Sequence, residues 1–127
     1  MTRPAPPSLA IAFLYYRDLP AAQAFYENIL GLQLAIDQGW SKIYRLADGA
    51  HVGLVDERHG MNDWQAEKCV QLCLRVPDVD AWRDWVAGKG VAVSGMFEND
   101  ALGIRAFVFE DPEGYQVEIQ TPTRAGA

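Results

Sequence analysis

Glu118 stands between Gln116 and Gln120, and these three alternate with Tyr115, Val117 and Ile119. A period of two reads as a β-strand, which puts the three polar groups on one face and the three apolar ones on the other. A carboxylate on such a face can bind a cation, accept a proton or be held by a donor. Buried with none of these, it would cost several kcal/mol. Desolvated, it becomes a candidate general base. With no metal, the candidates to partner it are Gln71, His51, Tyr15 or a cationic ligand. Cys73 adds a thiol. Cys69 and Cys73 are four residues apart, roughly 13 Å on a strand. That exceeds the Cα separation of a disulfide, so both read as free thiols.

The elements that must position these groups follow from periodicity. Ser8–Arg17 reads as a strand largely buried on both faces. Asp18 caps a helix that has Pro20 in its first turn, Ala22, Phe25, Tyr26, Ile29 and Leu30 at helical spacing, and Gly31 as its stop. Strands are predicted over 32–37, 41–46 and, after the Asp48-Gly49 turn, 51–55. The pattern then recurs. A strand over 69–76 leads to Asp78, which caps a helix whose inner face is Val79, Trp82, Trp85 and Val86. Strands are predicted at 91–93 and 104–109, with a loop over 94–103 between them. The turn Asp111-Pro112-Glu113-Gly114 then opens the strand of Glu118. Asp18 superposes on Asp78, Ala21 on Ala81 and Phe25 on Trp85, so the chain is a βαβββ unit written twice.

The expected fold class is α+β, with both modules in one domain over 8–122: module 1 at 8–56, a linker at 57–68 and module 2 at 69–122. Residues 1–7, rich in proline and without a signal-type apolar core, read as a mobile lead-in, and 123–127 as a tail. A net charge of −6 in 127 residues argues against nucleic acid and anionic membranes as partners. The free thiols suit a reducing, cytoplasmic setting.

Two βαβββ units, with Arg-Asp-Leu-Pro-Ala-Ala-Gln-Ala-Phe-Tyr-Glu-Asn-Ile-Leu-Gly-Leu at 17–32 and Asp-Pro-Glu-Gly-Tyr-Gln-Val-Glu-Ile at 111–119, resemble the vicinal oxygen chelate superfamily. That family includes glyoxalase I, extradiol dioxygenases, methylmalonyl-CoA epimerase, fosfomycin-resistance enzymes and bleomycin-binding proteins. The resemblance covers about residues 8–121. It implies two modules curled into a half-barrel around a concave pocket and, in many members, a homodimer. The family's metalloenzymes take ligands from four strand positions. These fall here on Ile11 and Gly53, which cannot bind an ion, on Gln71, which some members use, and on Glu118, which matches. His51, two residues before Gly53 on the same strand face, is the available substitute. No cofactor is therefore expected, since a firmly held divalent ion needs about three or more protein ligands. A divalent metal on Gln71, Glu118 and His51 is the alternative.

Alternation then predicts the ligand-facing side chains. These are Ile11, Phe13 and Tyr15 from the first strand; Tyr44 or its neighbours; His51, Gly53 and Val55; Gln71 and Cys73; and Gln116, Glu118 and Gln120. Trp40 and Trp64 are placed to close the rim. A pocket of this kind suits a small, partly aromatic or cationic molecule held without chemistry, as in the bleomycin-binding relatives. Two enzymatic readings compete with it. One is a metal-assisted lyase or isomerase of the glyoxalase type. The other is metal-free proton transfer with Glu118 as base and His51 or Tyr15 stabilising an enolate.

Overall fold

A computed structural model describes residues 2–127; Met1, the first residue of the expected lead-in, lies outside them. The chain forms two units, Met1–Trp64 and Gln65–Ala127. The first carries β1 (Ala10–Tyr16), α1 (Leu19–Asn28), β2 (Gln33–Asp37), β3 (Ser41–Ala47) and β4 (Ala50–Asp56). The second carries β5 (Gln71–Arg75), α2 (Val79–Gly88), β6 (Phe97–Asn99), β7 (Ile104–Glu110) and β8 (Gln116–Pro122). Both sheets have one topology, β1-β4-β3-β2 and β5-β8-β7-β6, so the βαβββ duplication read from the sequence is the architecture. No helix among the described residues is long and apolar enough to cross a membrane.

Each helix starts where its aspartate predicts. The Asp18 carboxylate accepts from the Ala21 amide at 3.1 Å, and that of Asp78 from the Ala81 amide at 3.0 Å. Each cap satisfies a donor that the helix itself leaves open, and is worth about 1 kcal/mol. Leu19, Ala22 and Tyr26 of α1 are buried, as are Val79 and Val86 of α2. Tyr44 belongs to this helix-facing side of its sheet. It is fully buried, donates to the Glu27 carboxylate at 2.7 Å and accepts from Gln23 at 3.3 Å. Burial, and then its contacts with Glu27, push its hydroxyl up to about 12. Tyr44, one of the alternatives expected to face the ligand, therefore faces α1, and its neighbour Ile43 on the other face is 1% exposed.

Three expectations are corrected. The first strand is not buried on both faces: Phe13 is 45% exposed, because its ring lies on a glycine with its outer side open. Trp85 does not join the inner face of α2. It is largely exposed, with the Lys89 ammonium 4.3 Å from its ring centroid. The strand expected at 91–93 shrinks to a single bridge between Val93 and Phe109, and the expected loop contains β6 instead. Ser94 explains the shift. Its amide still donates to the Val108 carbonyl at 2.9 Å, but its hydroxyl takes the Val108 amide at 2.9 Å and its carbonyl accepts from Arg83 at 2.8 Å, so half of the backbone pair is given to side chains there.

The segment after β4 is tied down by Asp56. Its carboxylate accepts from the Arg58 amide and Nε, both at 3.0 Å, and from Arg58 Nη2 at 2.5 Å. Its carbonyl accepts from the amides of His59 and Gly60. The hydrogen bonds from Arg58 lower the Asp56 carboxyl to about 2 from its ordinary 3.8. A carboxyl lowered in the folded state stabilises the fold above its unfolded value and loses that contribution as pH falls through the folded one. Asp56→Asn should therefore be less stable than the parent at neutral pH, and the gap should close as pH falls from about 4 to about 2. Urea unfolding of both proteins across that range checks this; a gap independent of pH would refute it.

Candidate functional site

The parallel pairing of the first and last strand in each unit brings the predicted residues together. In the first unit Ile11 pairs with His51, Phe13 with Gly53 and Tyr15 with Val55. In the second Gln71 pairs with Gln116, Cys73 with Glu118 and Arg75 with Gln120. The two ladders correspond rung by rung, and at every rung the chemistry differs. The first is aromatic and aliphatic around one histidine, the second amide, thiol, guanidinium and carboxylate.

In the first unit the rung at 13 and 53 is closed. A Cβ built on Gly53 would stand 2.4 Å from Phe13 Cδ1 and 3.3 Å from Ile11 Cγ2. The glycine is therefore what lets the Phe13 ring come this close to the strand. His51 sits one rung away, half-buried, opposite Ile11 and Arg45. Its Nδ1 is buried and has no hydrogen-bond partner among the described residues.

Beside this rung is a cavity of about 140 Å³. Phe13, Tyr15 and Trp40 wall it, Val55 and Ser41 form its inner side, and Gln38, Gly60 and Met61 its rim. Local structure fixes each wall. Asp37 accepts from the Gly39 amide at 2.9 Å and from Lys42 at 2.7 Å, and the Gln38 amide donates to the Ser41 carbonyl. That turn, with Gly39 at φ 81°, presents Trp40, whose ring stacks on His59 at 5.8 Å between centroids. Gly60 passes so near Tyr15 and Val55 that a Cβ there would stand 2.6 and 2.7 Å from them. Asn62 donates to the Tyr15 hydroxyl at 3.2 Å. Trp64, expected at the rim, instead lies under the Arg17 guanidinium, 3.6 Å from its ring centroid.

Ser41, Gln38, Gly60 and Met61 escaped the sequence reading. Ser41 shares a strand face with Ile43 and Arg45, opposite Val55, Gly53 and His51. Apolar Ile43 and Tyr44 are adjacent in sequence, so alternation alone does not say which faces the helix. The polar pair Gln23 and Glu27, four apart on α1, was the available signal for a buried tyrosine partner.

In the second unit Glu118 is the hub. It accepts from Gln120 at 2.6 Å, from Gln71 at 3.3 Å and from the Cys73 thiol at 3.5 Å. Gln71 also donates to Gln116 at 2.7 Å, and Arg75 donates twice to the Gln120 carbonyl oxygen, at 2.9 and 2.7 Å. Of the side chains expected to partner Glu118, Gln71 does so and Gln120 joins it, whereas Tyr15 and His51 lie on the first sheet.

These residues do not fit the family's metal. Ile11 and Gly53 carry no donor, the Phe13 ring fills the space a ligand at 53 would use, and Gln71 turns its Nε2, a donor, toward Glu118. Among the described residues no three His, Cys, Asp or Glu side chains gather as a metal-holding group.

The sequence model of the Glyoxalase/Bleomycin resistance protein/Dioxygenase superfamily matches residues 8–119. No curated protein matches the chain. Among solved structures, the antibiotic binding protein TnmS3 from Streptomyces sp. CB03234 is 27% identical, with 94% of this chain and 99% of that chain covered and a TM-score of 0.74. Lactoylglutathione lyase from Agrobacterium tumefaciens is 23% identical, with 97% and 100% covered and a TM-score of 0.75. A glyoxalase/bleomycin resistance protein/dioxygenase from Nocardioides is 18% identical, with 98% and 89% covered and a TM-score of 0.77. The last two likenesses concern the fold alone.

Partial desolvation, and then the adjacent Glu118 carboxylate, push the Cys73 thiol up to about 11. Cys73 should therefore alkylate on the order of a hundredfold more slowly than an unhindered thiol. Glu118→Gln should speed that reaction without bringing it to the free rate, because the desolvation remains. Iodoacetamide labelling at pH 8.5, resolved by peptide mass, checks it; an unchanged rate in the variant would separate Cys73 from Glu118.

Proposed function

The chain belongs to the Glyoxalase/Bleomycin resistance protein/Dioxygenase superfamily, and from that premise we propose that it is a binding module for a small organic molecule with an aromatic part, held at the first unit without a family-type metal. One observation carries the reading: the Phe13 ring occupies the strand position where the family's metalloenzymes place a ligand, over a glycine that leaves room for nothing else. A position given over to a ring serves stacking, not coordination. The neighbouring cavity continues the same chemistry, with Tyr15 and Trp40 beside Phe13. The likeness to TnmS3, an antibiotic binding protein, supports the reading.

Glu118, as the centre of a hydrogen-bonded amide and thiol cluster, then acts to hold the second sheet's polar face in one arrangement. Were it a base instead, turnover of some substrate would survive chelation and vanish in Glu118→Gln. A homodimer is part of the proposal: β2 and β6 lie at sheet edges, and association that covers an edge removes unpaired backbone groups from water.

Protein purified without chelator should carry less than about a tenth of an equivalent of zinc, nickel, iron or manganese. Binding of an aromatic ligand, identified by native mass spectrometry of copurified material, should persist in chelator and weaken about tenfold in Phe13→Ala. Stoichiometric tightly held metal, or binding indifferent to Phe13→Ala, would overturn the reading. The mass in solution should be that of two chains; a monomer by light scattering would remove the dimer.

A further inference from the structure

Ser41 is 3% exposed, lines the first unit's cavity, and its hydroxyl has no hydrogen-bond partner among the described residues. A buried hydroxyl left unpaired is costly, and buried polar atoms in native folds are nearly always completed by a hydrogen-bond partner. The backbone around it is fixed on both sides. The Ser41 carbonyl takes the Gln38 amide at 2.9 Å, and Ser41 pairs with Val55 across the β3–β4 ladder. Only rotation of the hydroxyl is left.

The size and charge of the space narrow what completes it. At about 140 Å³ the cavity is close to the roughly 150 Å³ that accommodates one benzene ring in an apolar protein interior. No Asp, Glu, Lys, Arg or His is among its lining residues, so an ion entering it would lose its hydration with no countercharge in return. Trp40, held in plane by His59, and Phe13, backed by Gly53, offer flat apolar surfaces.

We propose that this cavity takes one uncharged six-membered ring bearing a hydroxyl or carbonyl oxygen, and that Ser41 is the residue that selects for that oxygen. Its hydroxyl donates to a carbonyl or accepts from a phenol. The rest of a larger ligand projects past Met61, the most exposed of the large apolar side chains. The inference rests on the reading of the first unit as the ligand site and adds to it the ligand's charge, ring size and one determinant of selectivity.

The test titrates the full chain with p-cresol, toluene and benzoate, following the amide resonances of Ser41, Gly53 and Gly60. The parent protein should bind p-cresol about fivefold or more tighter than toluene, the worth of one neutral hydrogen bond, and benzoate more weakly than either. In Ser41→Ala the preference should vanish, p-cresol binding no tighter than toluene, while toluene binding persists at least as tightly as in the parent and reports an intact cavity. Toluene binding without a preference for p-cresol, or a preference that survives in Ser41→Ala, would overturn the role of Ser41 and leave the ring site standing. Tighter binding of benzoate would overturn the charge assignment. If no ring moves these resonances, the first-unit site falls and this inference with it.

Discussion

The parallel pairing of the first and last strand in each βαβββ unit is the constraint on which the rest depends. Hydrogen bonds between β1 and β4, and between β5 and β8, run without a register shift over their whole length. Because side chains alternate strictly along a strand, that register decides at once which residues meet the helix and which form the opposite face. Leu14 and Tyr16 with Val52 and Leu54 go to the core of the first unit, Val117 and Ile119 to that of the second. What remains, Phe13 on Gly53 and Cys73 beside Glu118, lies on the opposite face of each sheet.

Duplication gave two copies of this ladder, and their divergence is the most informative feature of the molecule. The rung that pairs Cys73 with Glu118 in the second unit pairs Phe13 with Gly53 in the first. One copy keeps a carboxylate and surrounds it with donors from Gln120, Gln71 and Cys73. The other removes the side chain and lets an aromatic ring settle in its place. A ring set against a glycine and a carboxylate bound by amides are both satisfied arrangements, of opposite chemistry. The first presents a half-exposed apolar surface; the second completes its hydrogen bonding within the sheet.

The walls of the first unit's cavity show how far local chemistry reaches. Asp37 and Gly39 shape the turn that carries Trp40, and Asp56 with Arg58 shapes the segment that carries Gly60 to Tyr15. Each is a short-range device: a carboxylate accepting from amides two residues on, or a glycine where the backbone turns or must approach closely. Together they leave the Ser41 hydroxyl buried at the wall of that space, without a hydrogen-bond partner among the described residues.

The order of elements, both helix caps, the closing turn and the polar face of β8 were legible in the sequence, because each is set by neighbours in the chain. Alternation, capping aspartates and the Asp-Pro-Glu-Gly turn act over a few residues, and their repetition displayed the duplication. The tertiary structure alone decided what those residues touch. Adjacent apolar Ile43 and Tyr44 do not say which one meets a helix; the Glu27 carboxylate decides. Val91–Val93 has strand composition, yet the Ser94 hydroxyl takes the Val108 amide, and half of the backbone pair there goes to side chains. A glycine in a strand says that something comes close; that the visitor is Phe13, and that Ser41 is left without a partner, depends on pairings across the sheet, which single-strand periodicity does not carry.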